Sequence, residues 1–148
     1  MNARFENLVK NYEAVFRGGS FEVFRELAIA YYQQELGSLF DKYYTNVGLG
    51  VSLPPGWMPI YIDAARSMEK IAKSMGYSFS VAQVKQKFGE LRVYIESLEK
   101  NETAHSALCT VLQSAGSLCA KTCEYCGRPG ELGGDTWIRV TCGAHHGR

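Results

Sequence analysis

The sequence predicts an α+β fold, and three features of the chain support that prediction. Four segments place apolar residues at steps of three and four, the spacing of one helix face. Residues 77–96 change to the alternation of a β-hairpin. The last part of the chain pairs cysteines and histidine at short spacing. We therefore expect a helical N-terminal part, an antiparallel hairpin packed on helices, and a small C-terminal unit.

Length and charge narrow the class of protein. The 148 residues suit about one ordinary domain, with a helical segment (1–46), an α+β core (54–120) and a C-terminal module (121–148). Sixteen basic and fifteen acidic residues give a net charge of +1, so no global field attracts nucleic acid or an anionic membrane. The polar start does not resemble a signal peptide, and no run of about 18 apolar residues occurs. We expect a cytoplasmic protein with reduced cysteines.

The N-terminal part is predicted to form two helices, over residues 3–17 and from the cap Ser20 to about Tyr44. The second helix is rich in aromatic residues and apolar around more than half of its circumference at its start. A central helix packed on two sides explains this pattern. The alternative is a face kept for a protein partner or for a second copy in a homodimer. Its contact residues would include Tyr31, Tyr32, Tyr43 and Tyr44.

Residues 45–59 are rich in glycine and proline and are expected to form a connection, with Trp57 as a core anchor. A third helix is predicted from Pro59 to Met75, where Gly76 ends it. A fourth is predicted from Glu102 to about Lys121, with Asn101 as its cap. Cys109 and Cys119 are expected to be small core residues of this helix, and His105 to pair with Glu102 at the surface.

The hairpin is predicted to turn near Gly89. Alternation places Ala82, Val84 and Phe88 on one face with Leu91, Val93 and Ile95 of the returning strand. The opposite face carries Gln83 with the candidate partner residues Lys85, Lys87, Arg92 and Tyr94. This face is either an ordinary solvated strand face or a contact surface for phosphate or carboxylate.

The C-terminal module has the spacing of a zinc site. Cys123 and Cys126 form a C-x2-C pair, and Cys142 with His145 forms a C-x2-H pair after fifteen intervening residues. Two such pairs in series surround one tetrahedral Zn²⁺. His146 is the alternative fourth ligand, because C-x3-H spacing also suits zinc.

Glycines and a predicted strand complete the expected zinc ribbon. Gly127 and Gly143 follow a cysteine of each pair, where positive φ would let backbone amides point at the thiolates. A strand is predicted over Thr136–Thr141, with Trp137 covering the site. Four ligands and two knuckles favour a closed structural zinc, and no catalytic residues are predicted. The deaminase pattern H-x-E fails, since Ser106 and Ala107 follow His105.

The combination of QVKQKFGELRVY, GWMPI and CEYCGRPGEL with a closing cysteine and histidine resembles a family of small uncharacterised proteins of bacteria, phages and prophages. The resemblance covers about residues 54–146. It brings Cys123, Cys126, Cys142 and His145 into register with the family's terminal motif. It implies mobile-element biology in a bacterial or infected cell, in which small proteins act as immunity or anti-defence inhibitors by binding another protein.

Three function classes follow from these observations. A non-enzymatic protein-binding inhibitor is favoured by the aromatic excess, the near-neutral charge and the lack of a catalytic constellation. A nucleic-acid-binding regulator is favoured by the ribbon and by the cations Lys85, Lys87 and Arg92. A metalloenzyme is favoured only by the spare histidine.

Overall fold

The computed structural model describes residues 21–45 and 51–145. The first predicted helix (3–17), the Ser20 cap and His146 lie outside the described residues, and so does the side chain of Tyr44. Within the described part, the fold class is α+β as predicted.

Helices and two small sheets alternate along the described chain. The helices are α1 (Phe21–Leu36), α2 (Met58–Met75) and α3 (Glu102–Cys119); the strands are β1 (Val51–Ser52), β2 (Ser80–Lys87), β3 (Glu90–Glu96), β4 (Glu131–Gly133) and β5 (Arg139–Thr141). The first sheet has the order β1-β2-β3, with β1 parallel and β3 antiparallel to β2. The second sheet pairs β4 with β5 antiparallel. No helix in the described ranges is long and apolar enough to cross a bilayer.

Helix α1 ends earlier than the sequence predicts. Gly37 has φ of +55°, a left-handed conformation that ends the α-helix. A 3₁₀ turn (Gly37–Leu39) and a π-helical turn (Asp41–Thr45) follow it. The hydroxyls of Tyr32 and Tyr61 both donate to the carbonyl oxygen of Tyr43, each at 3.2 Å, so the π-helical turn is held from the core.

Two tyrosines of α1 and one of the π-helical turn belong to the core rather than to a surface. Tyr32 and Tyr43 are fully buried and Tyr31 is 6% exposed. These three tyrosines therefore do not form a partner or homodimer surface, and that interpretation of them is wrong. They pack in one cluster with Trp57, whose predicted burial is confirmed.

The C-terminal end of α2 and the N-terminal end of α3 lie where the sequence predicts them. Gly76 has φ of +60°, and its amide donates to the carbonyls at the end of α2. The Asn101 side chain accepts a hydrogen bond from the Ala104 amide at 3.1 Å, which caps α3 as predicted. The two helices pack against each other, and α3 also contacts β3.

The hairpin forms, but a β-bulge changes which residues face the core. The register passes from Val81 opposite Ile95 to Gln83 opposite Tyr94, which leaves Ala82 as the extra residue. Val81 and Val84 are therefore the buried pair of β2. The prediction that Ala82 and Phe88 join the buried face is wrong.

Phe88 is exposed because it lies in the turn of the hairpin. Phe88 and Gly89 have φ of +55° and +77°, and Lys87 pairs with Glu90 on either side of them. Positive φ at both central residues is the conformation of a two-residue type I′ turn. The strand β1 and the 3₁₀ turn Pro55–Trp57 show that residues 45–59, predicted as a plain connection, contain ordered elements.

Candidate metal centre

Two loops supply the four predicted ligands. Cys123 and Cys126 lie between α3 and β4, and Cys142 and His145 follow β5. Antiparallel pairing of β4 with β5 brings the two loops to the same end of the module. The four ligand atoms all lie within 4.8 Å of one another, so these residues can hold one metal ion.

The two cysteines of the first pair occupy the interior end of this cluster. Cys123 and Cys126 are buried, whereas Cys142 and His145 are partly exposed. His145 presents Nδ1 to the sulfurs of Cys123 and Cys142, at 3.6 and 3.2 Å. The sulfurs of Cys126 and Cys142 are 3.7 Å apart.

The first loop has the predicted knuckle geometry and the second does not. Gly127 has φ of +77°, and its amide donates to the Cys123 carbonyl at 3.0 Å. Gly143 has no positive φ, so the expectation of a second left-handed glycine is wrong. The turn there is closed by the His145 amide, which donates to the Cys142 carbonyl at 3.1 Å.

Local hydrogen bonds favour a thiolate in the cluster. A hydrogen bond from the Cys126 thiol lowers the pKa of Cys123 to about 4. Backbone amides of Tyr125, Cys126 and Cys142 lower it further, against the opposing effect of burial. The same hydrogen bond, together with burial, raises the pKa of Cys126. Metal binding requires deprotonated cysteines, and this environment already stabilises one of them.

The GW segment of the core packs directly on the first knuckle. The Gly56 amide donates to the Glu124 carbonyl at 2.7 Å, and Trp57 Nε1 donates to the Thr122 carbonyl at 2.8 Å. A Cβ at Gly56 would lie 2.1 Å from the Cys123 carbonyl oxygen. Only glycine permits this approach, so GWMPI positions the metal ligands rather than serving as a plain loop.

Glu124 is a buried carboxylate between the two knuckle cysteines, and sequence reasoning missed it. It is 5% exposed and accepts hydrogen bonds from Gln86 Nε2 and from the Val140 amide, the latter at 2.6 Å. Burial raises the pKa of Glu124, and these hydrogen bonds oppose the shift. The available signal was Gln86, a polar residue that alternation places on the apolar face of the hairpin.

Tyr125, not Trp137, covers the ligand cluster. Trp137 is 69% exposed, because β5 begins at Arg139 and residues 135–137 form a bend instead of the predicted strand. The buried Tyr125 ring lies 5.5 Å from the His145 ring, between ring centroids. The guanidinium of Arg139 lies over the rings of Tyr125 and Trp137, at 5.7 and 5.5 Å.

The candidate partner residues of the hairpin lie on one sheet face, away from the metal cluster. The register places Lys85 opposite Arg92 and Lys87 opposite Glu90, and the exposed Tyr94 shares their face. Lys85 Nζ stands 6.0 Å from the Tyr94 ring centroid. Arg92 forms an ion pair with Glu90 at 2.9 Å.

The two remaining cysteines differ in their environment. Cys119 is fully buried, as predicted, and burial raises its pKa to about 12. Cys109 is only partly buried, and its sulfur lies 3.5 Å from His105 Nε2. The expected pairing of His105 with Glu102 is absent from the ion pairs of the described residues.

Comparison with known proteins found no significant match to a family model, a curated protein or a solved structure.

Proposed function

We propose that this is a small zinc-stabilised, non-enzymatic protein that acts by binding a protein partner. The observation that carries the zinc assignment is the complete set of four donors, three sulfurs and one imidazole nitrogen, within 4.8 Å. Thiolate and imidazole are the donors that structural zinc takes in proteins.

The donor distances support a tetrahedral zinc ion. Bond lengths of about 2.3 Å to sulfur and about 2.05 Å to nitrogen separate two sulfurs by about 3.8 Å, and sulfur from nitrogen by about 3.6 Å. The Cys126–Cys142 and Cys123–His145 distances are 3.7 and 3.6 Å. The Cys142–His145 distance of 3.2 Å needs only a small opening to reach the same geometry.

The residues around the ligand cluster support a structural rather than a catalytic role for the metal. A catalytic zinc keeps an open position for water and a carboxylate that moves protons. Here the protein supplies all four ligands, and the carboxylate nearest in sequence, Glu124, is already engaged by Gln86 and Val140. When bound, zinc supplies local folding energy to a module whose two strands have three residues each.

Cobalt substitution tests the closed coordination. We expect Co²⁺ to give the intense visible absorption of a four-coordinate thiolate site, unchanged by millimolar azide or cyanide at a concentration that leaves the metal bound. A spectrum that shifts on adding azide would show an exchangeable position and restore the enzyme interpretation.

The outer face of the hairpin is the proposed partner surface, and it comprises Lys85, Lys87, Arg92 and Tyr94. Its support is that these residues share one sheet face, that Tyr94 is 46% exposed, and that Lys85 and Lys87 form no ion pair within the described ranges. Aromatic and cationic side chains are common in the energetic centres of interfaces. The resemblance of the hairpin and terminal motifs to phage and prophage proteins supports a bacterial toxin or defence protein as the partner class.

Affinity capture with a matched control tests this proposal. The wild-type bait, the variant Lys85→Ala/Arg92→Ala/Tyr94→Ala and the control Lys70→Ala/Lys100→Ala are compared in nuclease-treated extract. The expected result is one protein retained by wild type and control and lost with the triple variant. Retention by all three baits would remove the hairpin face from the proposal.

A second candidate, nucleic-acid binding, is favoured by one observation. Arg139 lies over the exposed Trp137 ring, a pairing of cation and stacking surface suited to single-stranded nucleic acid. Its signature would be binding of an oligothymidylate with strong salt dependence and quenching of Trp137 fluorescence.

A further inference from the structure

Three large apolar side chains are exposed where the hairpin tip meets the C-terminal module. Phe88, Leu132 and Trp137 are 63%, 62% and 69% exposed. The hairpin and the module touch at this point, since a Cβ at Gly89 would lie 2.2 Å from Leu132 Cδ1 and 3.7 Å from Ile138 Cγ2. Phe88 precedes Gly89 and Trp137 precedes Ile138, so the three side chains belong to one region, the tip surface.

The tip surface is composed as the centre of a protein interface. Tryptophan contributes strongly to hot spots, and clustered exposed apolar side chains on small proteins mark contact sites. None of the three side chains is needed to cover the metal cluster, because Tyr125 lies beside His145. Their exposure therefore has no explanation within the described part of the chain.

The charges around the tip surface balance each other. Lys87 and Arg139 are the cations, and Lys87 Nζ lies 5.7 Å from the Phe88 ring centroid. Glu131 and Asp135 are exposed carboxylates of the same module. Glu90, which follows Gly89 in the hairpin, forms an ion pair with Arg92, so these two charges neutralise each other. Among the residues that the structure describes, the rim thus has two charges of each sign around an apolar centre.

A balanced rim selects the kind of partner. Phosphate backbones would meet repulsion from Glu131 and Asp135, which counts against the nucleic-acid candidate at Trp137. A strongly acidic or basic protein would satisfy only half of the rim. In a two-fold symmetric contact the same patch occurs on both sides, so a patch of one sign repels its own copy, whereas a balanced patch offers each cation a carboxylate. The net charge of +1 adds almost no long-range repulsion between two copies.

We propose that the tip surface is a homodimer interface, in which Phe88, Leu132 and Trp137 of two copies pack together about a two-fold axis. This contact shares Lys87 with the partner surface proposed for the hairpin face, but the test variants of both proposals leave Lys87 unchanged, so failure of either proposal leaves the other standing. It replaces the tyrosines of α1, which are buried, as the site of self-association.

The test is sedimentation velocity of the zinc-loaded full chain from about 1 µM to about 500 µM, a range that brackets typical small-protein dimers. Phe88→Asn and Trp137→Ala are the test variants. Asparagine tolerates the positive φ at residue 88, and residue 137 is exposed, so both variants should fold. Leu98→Ala is the control, because Leu98 is fully exposed outside the tip surface.

We expect a reversible dimer whose Kd rises about tenfold or more in each test variant and stays within about twofold in the control. Trp137 emission should shift to shorter wavelength with concentration, whereas the buried Trp57 reports no change. Three results would overturn the proposal: a monomer across the whole range, a dimer unaffected by either variant, or self-association that Leu98→Ala weakens equally. Equal zinc content and circular dichroism of the proteins exclude misfolding as the cause.

Discussion

The Gln86 side-chain amide donates to the Glu124 carboxylate, with Nε2 2.9 Å from Oε2. Nε2 also lies 3.0 Å from the Ile138 carbonyl oxygen. One side chain of the hairpin is therefore bonded to the knuckle between the metal-ligating cysteines and to the chain that leads into β5. Glu124 in turn accepts from the Val140 amide, so the link continues into the second sheet.

Replacing Gln86 with alanine should destabilise the protein by about 1.5–3 kcal/mol, because the buried Glu124 carboxylate loses a partner it cannot replace with water. Urea unfolding of zinc-loaded protein measures the change. Gln83→Ala, on the outer face of the same strand, is the control and should cost less than about 0.5 kcal/mol. An equal loss of unfolding free energy in the two variants would show that the hydrogen bonds of Gln86 do not stabilise the fold.

Replacing Gly56 with alanine should disrupt the packing of the Gly56–Trp57 segment on the first knuckle. The new Cβ would lie 2.1 Å from the Cys123 carbonyl oxygen and 2.7 Å from the Gly127 amide nitrogen. We expect a loss of about 3 kcal/mol or more and weaker metal retention. Gly116→Ala is the matched control: nothing lies within 4 Å of that Cβ, and alanine in the last turn of α3 should stabilise the protein by about 0.5 kcal/mol. Full metal retention in Gly56→Ala would contradict the claim that the close contact at Gly56 positions the metal ligands.

Protonation of Glu69 is expected to cause part of the loss of stability of the helical core in acid. Burial acts to raise the pKa of Glu69, but hydrogen bonds from Lys42 and Tyr43 outweigh it, and the pKa falls below its ordinary value of 4.5. A carboxylate with a lowered folded pKa contributes stability that is fully present above pH 4.5 and is lost as pH falls through the folded value. In Glu69→Gln, the free energy of unfolding should therefore depend less on pH below about 4.5 than in wild type.

The control for Glu69 is Asp63→Asn, which changes an exposed carboxylate of the same helix. Protonation of the metal ligands affects all these proteins alike and cancels when each variant is compared with wild type. A wild-type pH profile in Glu69→Gln would show that the Lys42 and Tyr43 contacts do not stabilise the folded state.

Thiol reactivity should separate the five cysteines into three classes. With metal bound, Ellman's reagent should modify only the partly exposed Cys109, because Cys119 is buried and burial raises its pKa to about 12. Chelation should release Cys123, Cys126 and Cys142 to the reagent, and full unfolding should add Cys119. Cys109→Ser should remove the first class; rapid reaction of several thiols before chelation would contradict the burial pattern.

Local signals predicted the elements that depend on local chemistry. Asn101 and Gly76 mark helix ends because their interactions lie within one turn of chain, and the structure confirms both. The cysteine and histidine spacing predicted the cluster because each knuckle is set by a few adjacent residues.

Tertiary effects explain the failures. The bulge at Ala82 shifts the pairing of β2 with β3 by one residue and places Val81 in the core. The alternation within a single strand does not reveal such a shift. The α1 tyrosines have the composition of an interface, yet packing partners distant in sequence bury them, including Tyr61 beside Tyr32. Trp137 was expected to cover the metal cluster, but the short β5 leaves it in an exposed bend.

The most direct test of the central claim is metal content by native mass spectrometry, paired with urea unfolding. The proteins are wild type, Cys126→Ser, His145→Ala and the control His146→Ala. We predict one zinc per wild-type chain, its loss with a matching fall in stability in Cys126→Ser and His145→Ala, and its retention in His146→Ala. Zinc that survives His145→Ala but not His146→Ala, or a fold equally stable without metal, would contradict a structural site made by Cys123, Cys126, Cys142 and His145.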